Sequence, residues 1–350
     1  MKKALIVILI LAMAGGLFAQ TWTGSVNTGA KITFTDDDIP VMATRNGDDD
    51  AAVDASLSFT NGDDTWGITV GASAKVDTEA AVTGLDIGDM VGWVKFADMF
   101  KLTAGKGVGG AWGSGGNTDT NISDSVAGVR LEVEPIDGLN FGVRFGYPNS
   151  GVKANKIVNF FEEIGIGAKY SADVWWAALG LDLDSEETQE VDEETGAVTG
   201  GGELDALLYF GFNYTGIELV KIHVGAKIEN LFTEKTVTLF EKLNGTVAGL
   251  NWYFQANEKL IPDPLEVGLE VGVSYPITIS DKTSAEVGAS ANASFASDPG
   301  FSFDEWNAYA QVSYKFNDNV NTSAKFNLHG DMGDDTKISA YLRWLIGFSF

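Results

Sequence analysis

Side chains that could do covalent or acid–base chemistry are scarce in this chain. Among 350 residues there are two histidines, His223 and His329, and no cysteine. An imidazole beside an Asp or Ser can act as a general base or activate a nucleophile. Neither histidine sits in a motif that supplies such a partner, and both fall on the polar side of alternating segments, where a polar wall residue is the simpler reading. Without cysteine there is no thiolate, no disulfide and no lipid-modified N-terminal cysteine. Asp36 to Asp38 and Asp48 to Asp50 gather carboxylates, but neither run has the spaced oxygen ligands and glycine of a calcium loop. They read as solvated loop. No catalytic residue, cofactor site or metal site is expected.

What remains is fixed charge. A formal net charge of -26 argues against nucleic acid as a partner, because phosphate backbones need basic surface. Within this acidic chain, basic side chains recur on one side of alternating segments: Lys31, Lys75, Lys101, Arg130, Arg144, Lys169, Lys221, Lys227, Lys315, Lys325 and Arg343. The acids on the same side are Asp54, Glu132, Asp182, Asp205, Glu266, Glu270 and Glu286.

The elements that must position these charges are strands. Ala127, Val129, Leu131 and Val133 alternate with Gly128, Arg130, Glu132 and Glu134; after Pro135–Gly138, Leu139, Phe141, Val143 and Phe145 alternate with Asn140, Gly142, Arg144 and Gly146. Similar period-two segments run from Trp22 to Phe34, Val53 to Phe59, Trp66 to Ala74, Asp89 to Lys106 (two strands joined near Ala97–Asp98), Ile164 to Tyr170 and Trp175 to Leu181. In the second half they run over Leu204–Tyr214, Leu219–Glu229, Thr246–Asn257, Leu265–Tyr275, Ala285–Phe295, Trp306–Phe316 and Val320–His329. Thr236 to Leu243 reads as helix or strand, and Asn244–Gly245 favours a strand ending in a two-residue hairpin turn there. The stretch from Asp184 to Glu203 is acidic, Gly-rich and nearly devoid of apolar residues, and is expected to be a long solvated loop.

The last stretch decides the environment of these strands. From Ile338 through Ala340, Leu342, Trp344, Ile346 and Phe348 to Phe350, every second residue is apolar. An edge strand with such a face would pair indiscriminately in water, but it suits a lipid-facing strand whose two edges are both paired. A C-terminal Phe preceded by alternating hydrophobics resembles the assembly signal of bacterial outer-membrane β-barrel porins. The resemblance implies that Trp344, Ile346, Phe348 and Phe350 are read by the barrel-assembly machinery.

The start of the chain agrees. Lys2 and Lys3 precede an apolar run and then Ala19, the pattern of a signal peptide over residues 1–19 that is removed on export, leaving 20–350 as one barrel domain. The apolar run is too short for a spanning helix. A mean hydropathy of +0.03, 42 glycines and only 7 prolines fit strands that alternate between lipid and water. The expected fold is therefore all-β, a transmembrane antiparallel up-and-down β-barrel of about sixteen to eighteen strands, with eighteen the fullest count. Connections alternate between short ones (Asn61–Asp64, Ala97–Asp98, Pro135–Gly138, Ser171–Asp173, Thr215–Ile217, Asn244–Gly245 and Asn317–Asn319) and longer, mostly acidic or Gly-rich ones. In barrels of the family resembled, the short set is periplasmic and the long set external.

So wide a ring leaves a water-filled lumen. The charged side chains above, including Glu132, then line a pore. Arg130 and Arg144 stand nearly opposite each other across a turn, with Glu266, Glu270 and Glu286 about half the circumference away, which would set a transverse field across the pore. The local alternative pairs Arg130 with Glu132 or Glu134. The third long connection, from Gly107 through Trp112 and Asp119 to Asp124, stands where general porins carry a loop that folds inward, and the resemblance makes it a constriction loop. Trp175, Trp252, Trp306 and Trp344 read as interfacial girdle and lipid contacts.

The expected function is passive diffusion of small hydrophilic solutes and ions through the outer membrane of a diderm bacterium, with outer-membrane lipid around the barrel. The family resembled commonly forms homo-trimers. The alternative is a surface-exposed barrel serving mainly as adhesin or major surface antigen through its acidic loop.

Overall fold

The computed structural model describes residues 20–34, 41–43, 51–61, 63–76, 82–108, 126–146, 164–185, 190–191, 198–199, 204–261, 265–296, 300–332 and 337–349. The segment 1–19, both aspartate runs, Trp112, Asp119, Asp124 and Phe350 lie outside the described residues. So does most of the acidic stretch 184–203.

The period-two segments are strands. In chain order they are β1 (Gln20–Phe34), β2 (Val41–Ala43), β3 (Ala51–Asn61), β4 (Trp66–Val76), β5 (Val82–Phe96), β6 (Phe100–Val108), β7 (Val126–Ile136), β8 (Leu139–Gly146), β9 (Ile164–Ser171) and β10 (Trp175–Ser185). There follow the short pair β11 (Glu190–Val191) and β12 (Val198–Thr199), then β13 (Leu204–Ile217), β14 (Val220–Glu229), β15 (Thr236–Val247) and β16 (Leu250–Ile261). The series ends with β17 (Glu266–Thr278), β18 (Thr283–Ala296), β19 (Phe301–Asn317), β20 (Val320–Asp331) and β21 (Lys337–Ser349).

Apart from β11 and β12, which pair only with each other, all belong to one 19-stranded antiparallel sheet. β2 is a three-residue flap on β1. The other 18 strands form a closed ring, each bonded to its neighbours in sequence, and β1 seals onto β21 from Ser25–Ser349 to Phe34–Ala340. No edge is left open, so an apolar outer face carries none of the pairing hazard of an exposed edge strand.

Short and long connections alternate as expected, with two shifts. β13 bulges after Tyr214 and continues to Ile217, so its turn is at 218–219 and not at Thr215–Ile217. The Thr215 N–H and hydroxyl both donate to the Val174 carbonyl, which ties that extension to the β9–β10 turn. Thr236–Leu243 is strand, but Asn244–Gly245 does not turn. β15 runs on to Val247 and reverses at Ala248 (φ 51°) and Gly249 (φ 82°), the two successive positive φ values that a tight hairpin turn requires. Asn244 is instead bonded to His223 across the sheet, and Gly245 admits the Leu219 carbonyl so closely that a Cβ there would lie 1.9 Å from it.

Register fixes the two faces. On one, Trp66, Met90, Val94, Leu102, Leu131, Phe141, Ile166, Leu179, Phe210, Val271, Val287, Phe326, Leu342 and Trp344 are exposed large apolar side chains. Trp175 packs on this face between Tyr170 (5.3 Å) and Phe212 (6.3 Å), near the short-turn end. The opposite face carries the polar and charged residues, and the concavities of the molecule open on it. It is the inner wall, and a ring of 18 strands is too wide for side chains to fill. Among the described residues no helix is long and apolar enough to cross a membrane. In this molecule strands supply the apolar belt.

Candidate functional site: the inner wall

Cross-strand register brings one set of cations side by side. Lys31 on β1, Arg343 on β21 and Lys325 on β20 stand directly opposite one another. Like charges in this relation oppose sheet pairing. The two lysines are drawn aside onto aromatic rings, Lys31 over Tyr341 at 4.3 Å and Lys325 over Tyr309 at 4.4 Å. Lys101 lies over Trp93 at 5.2 Å and Lys169 over Trp176 at 4.6 Å in the same manner. These contacts hold the ammonium groups of flexible side chains against aromatic faces of the wall.

The arginines behave differently. Arg130 and Arg144 are register partners, as the turn at Asp137–Gly138 demands. Arg130 meets Glu132 at 3.1 Å, so the local pairing is realised. Arg144, 4% exposed, reaches Asp182 at 3.4 Å across the intervening strand β9. Gly165 makes the crossing possible. It is the register partner of both residues, and a Cβ there would lie 2.1 Å from Asp182 Oδ1.

Half-way round the ring lies the acidic arc. Glu270-Val-Gly272-Val-Ser274 on β17 and Glu286-Val-Gly288-Ala-Ser290 on β18 carry one motif twice, antiparallel, with each glycine opposite the other's serine. Tyr253 from β16 lies over Gly272 and donates its hydroxyl to Glu270; Tyr309 from β19 lies over Gly288 and donates to Glu286. Ser290 bonds the Tyr253 hydroxyl and Ser274 that of Tyr309. The arrangement has a local two-fold axis between β17 and β18. Gln255 adds a second donor to Glu270 at 2.5 Å.

The remaining residues of the expected lining are placed as follows. Lys227 pairs with Glu229 at 2.5 Å and Glu266 with Lys259 at 3.7 Å. Lys315 reaches Asp318 at 2.8 Å, and in that turn, outside any membrane span, its hydrogen bond and charge hold the Asp318 carboxyl below the usual carboxylate range. Lys221 lines a concavity on the wall. Lys75 stands in register with Gly84, but its side chain is outside the description. Gly107 is the penultimate residue of β6, with φ 93°, Val108 ends that strand buried, and the expected constriction loop from 109 to 124 lies outside the described residues.

Comparison with solved structures bears on the fold. Pseudomonas aeruginosa OpdL superposes with a TM-score of 0.58 at 8% identity, over 95% of this chain and 99% of that one. Acinetobacter baumannii OccAB4 gives 0.54 at 11% over 95% and 99%, and the outer membrane protein opdK from Pseudomonas aeruginosa gives 0.55 at 10% over 94% and 98%. The fold is that of an outer-membrane β-barrel. No protein-family model and no curated protein sequence matches the chain.

The barrel also carries wall residues that the alternation left out. Lys242, Lys259 and Glu305 face inward on β15, β16 and β19. The first two lie in segments whose turn was displaced by Asn244–Gly245, and correct placement of that turn is the signal that exposes them. Both histidines are on the wall, each gripped by asparagine: His223 between Asn213 (2.9 Å) and Asn244 (3.1 Å), and His329 by Asn307 (3.0 Å), with Glu305 at 3.7 Å.

Proposed function

We propose that this barrel is a passive, water-filled porin of a diderm outer membrane, admitting small hydrophilic solutes and ions after export by a cleaved signal peptide. The observation that carries the reading is the closed 18-stranded ring with a continuous polar inner face, charged on both sides of its lumen. No solute needs to be transformed, and the reading assigns no enzymatic role to either histidine. Across the ring Arg130 and Arg144 are engaged with Glu132 and Asp182, and the bias of the pore is assigned to the cationic row Lys31–Arg343–Lys325, which stands on the same arc as the β17–β18 acids with β19 between them. The apolar face meets outer-membrane lipid, the end of β21 is what the barrel-assembly machinery reads, and a homo-trimer is the assembly proposed.

Planar-bilayer recording of the refolded chain without residues 1–19 tests this. Discrete, stable conductance steps are expected, with a salt-gradient reversal potential that shifts toward cations in Arg343→Gln. Correct insertion without steps would overturn the porin reading and favour display of a surface antigen.

A further inference from the structure

A concavity of about 550 Å³ opens on the inner wall between β14 and β19. Its lining includes Lys221, Lys242, Asn244, Asn251, Tyr253 and Tyr309. What matters is which atoms are left to meet a solute. Asn244 Oδ1 is an acceptor only, so His223 Nε2 must carry the proton it shares with it at 3.1 Å, and Nδ1 then accepts from the Asn213 amide at 2.9 Å. That relay spends the oxygen of Asn244 and leaves its NH2. Thr246 donates to Asn251 Oδ1 at 2.7 Å, which likewise leaves the NH2 of Asn251. Each tyrosine gives its proton to a glutamate and takes one from a serine, so the hydroxyls are satisfied within the wall.

The two lysines complete the pattern. No carboxylate pairs with Lys221 or Lys242 among the described residues, and the Lys242 ammonium is steadied 5.3 Å from the Tyr253 ring. Glu218, in the β13–β14 turn, is the one carboxylate on the lining and makes no ion pair with either. The concavity therefore offers solutes two ammonium groups and two amide NH2 groups, while the acceptor oxygens of Asn244, Asn251 and the two glutamates behind it are engaged internally and Glu218 stands apart in the β13–β14 turn. Donors converging with positive charge are what a carboxylate or phosphate oxygen requires.

We propose that this concavity is a solute subsite for the oxyanion of a small hydroxylated acid, held by Lys221, Lys242 and the amides of Asn244 and Asn251. The inference rests on the porin reading for its biological use, but the binding itself does not depend on conduction. It gives the lumen a station where an anionic solute pauses on the same side as the glutamates, which are shielded there by their tyrosines.

Calorimetric titration of the detergent-folded full barrel tests it whether or not the lumen conducts. The probes are gluconate, glycerol 3-phosphate, neutral sorbitol and cationic glucosamine. Both oxyanions are expected to bind and the other two not. A preference between carboxylate and phosphate identifies the favoured group. Lys221→Gln with Lys242→Gln should weaken oxyanion binding at least tenfold. Asn244→Asp, which keeps the shape and the bond to His223 but replaces the free donor with an acceptor, should weaken it comparably. Heat-modifiable gel mobility identifies folded variants. Equal binding of sorbitol, or unchanged gluconate binding in folded Asn244→Asp, would overturn the subsite.

Discussion

Arg144, Gly165 and Asp182 show how a single missing side chain organises the wall. The guanidinium and carboxylate belong to β8 and β10 and meet only because β9 presents a glycine between them. Both are buried, so removing one partner strands the other: Arg144→Ala should lower stability by about 3–5 kcal/mol. Adding Asp182→Ala should recover most of it, as urea unfolding in lipid vesicles would register. Tyr309→Phe removes the donor to Glu286 while keeping the ring on Gly288, and about 1–2 kcal/mol should be lost by the same measurement. At this scale the sequence was only half legible. Period two placed Arg144 and Asp182 on the inner face, but sequence spacing does not say which residues two strands apart will meet. The readable clue was the mid-strand glycine beside long polar neighbours, which recurs at Gly272 and Gly288 beneath the tyrosines.

The β15–β16 hairpin departs from the pattern of the other elements. Glu241 on β15 and Glu258 on β16 share the apolar face with Val224, Ala256, Leu239 and Val267. Glu241 is four positions along β15 from Gly245, the register partner of Trp252 near the short-turn end. At about 3.3 Å per residue and a tilt of about 40°, that is roughly 10 Å into an apolar band about 25 Å tall. A carboxylate there loses hydration without gaining a partner among the described residues. Glu241→Leu should therefore stabilise the barrel by roughly 1–2 kcal/mol, seen as a higher urea midpoint in vesicles. If the midpoint falls instead, the carboxylate has a partner in the membrane that the leucine cannot satisfy. This hairpin is also where the sequence misled. Asn-Gly is the strongest short-range turn signal, yet at 244–245 both residues serve contacts with β14 and the preceding turn, and Ala248–Gly249 reverses the chain. Local propensity yielded to cross-strand pairing that only the assembled sheet reveals. Elsewhere, where lipid-facing and water-facing residues alternate without interruption, as in β7, β8 and β21, strands and faces agreed with their expected positions.

The ring as a whole depends on one seam. β1 and β21 begin and end the described chain, and each would be an apolar open edge without the other. Deleting residues 337–350 should leave no heat-modifiable folded band on gels, whereas Lys337→Ala, at the exposed outer end of β21, should fold normally. The same seam sets a timetable. Each hairpin closes over a few residues, but β1 and β21 must find each other across more than three hundred, at an entropic cost of roughly 5 kcal/mol if the intervening chain were free. Hairpins that form first shorten that search, so the seam is the last pairing to be made and the slow one. Of the ring's strands the last to be synthesised is thus also the one whose arrival closes it: until β21 emerges no partly made ring can shut, and every ring that shuts holds all eighteen strands.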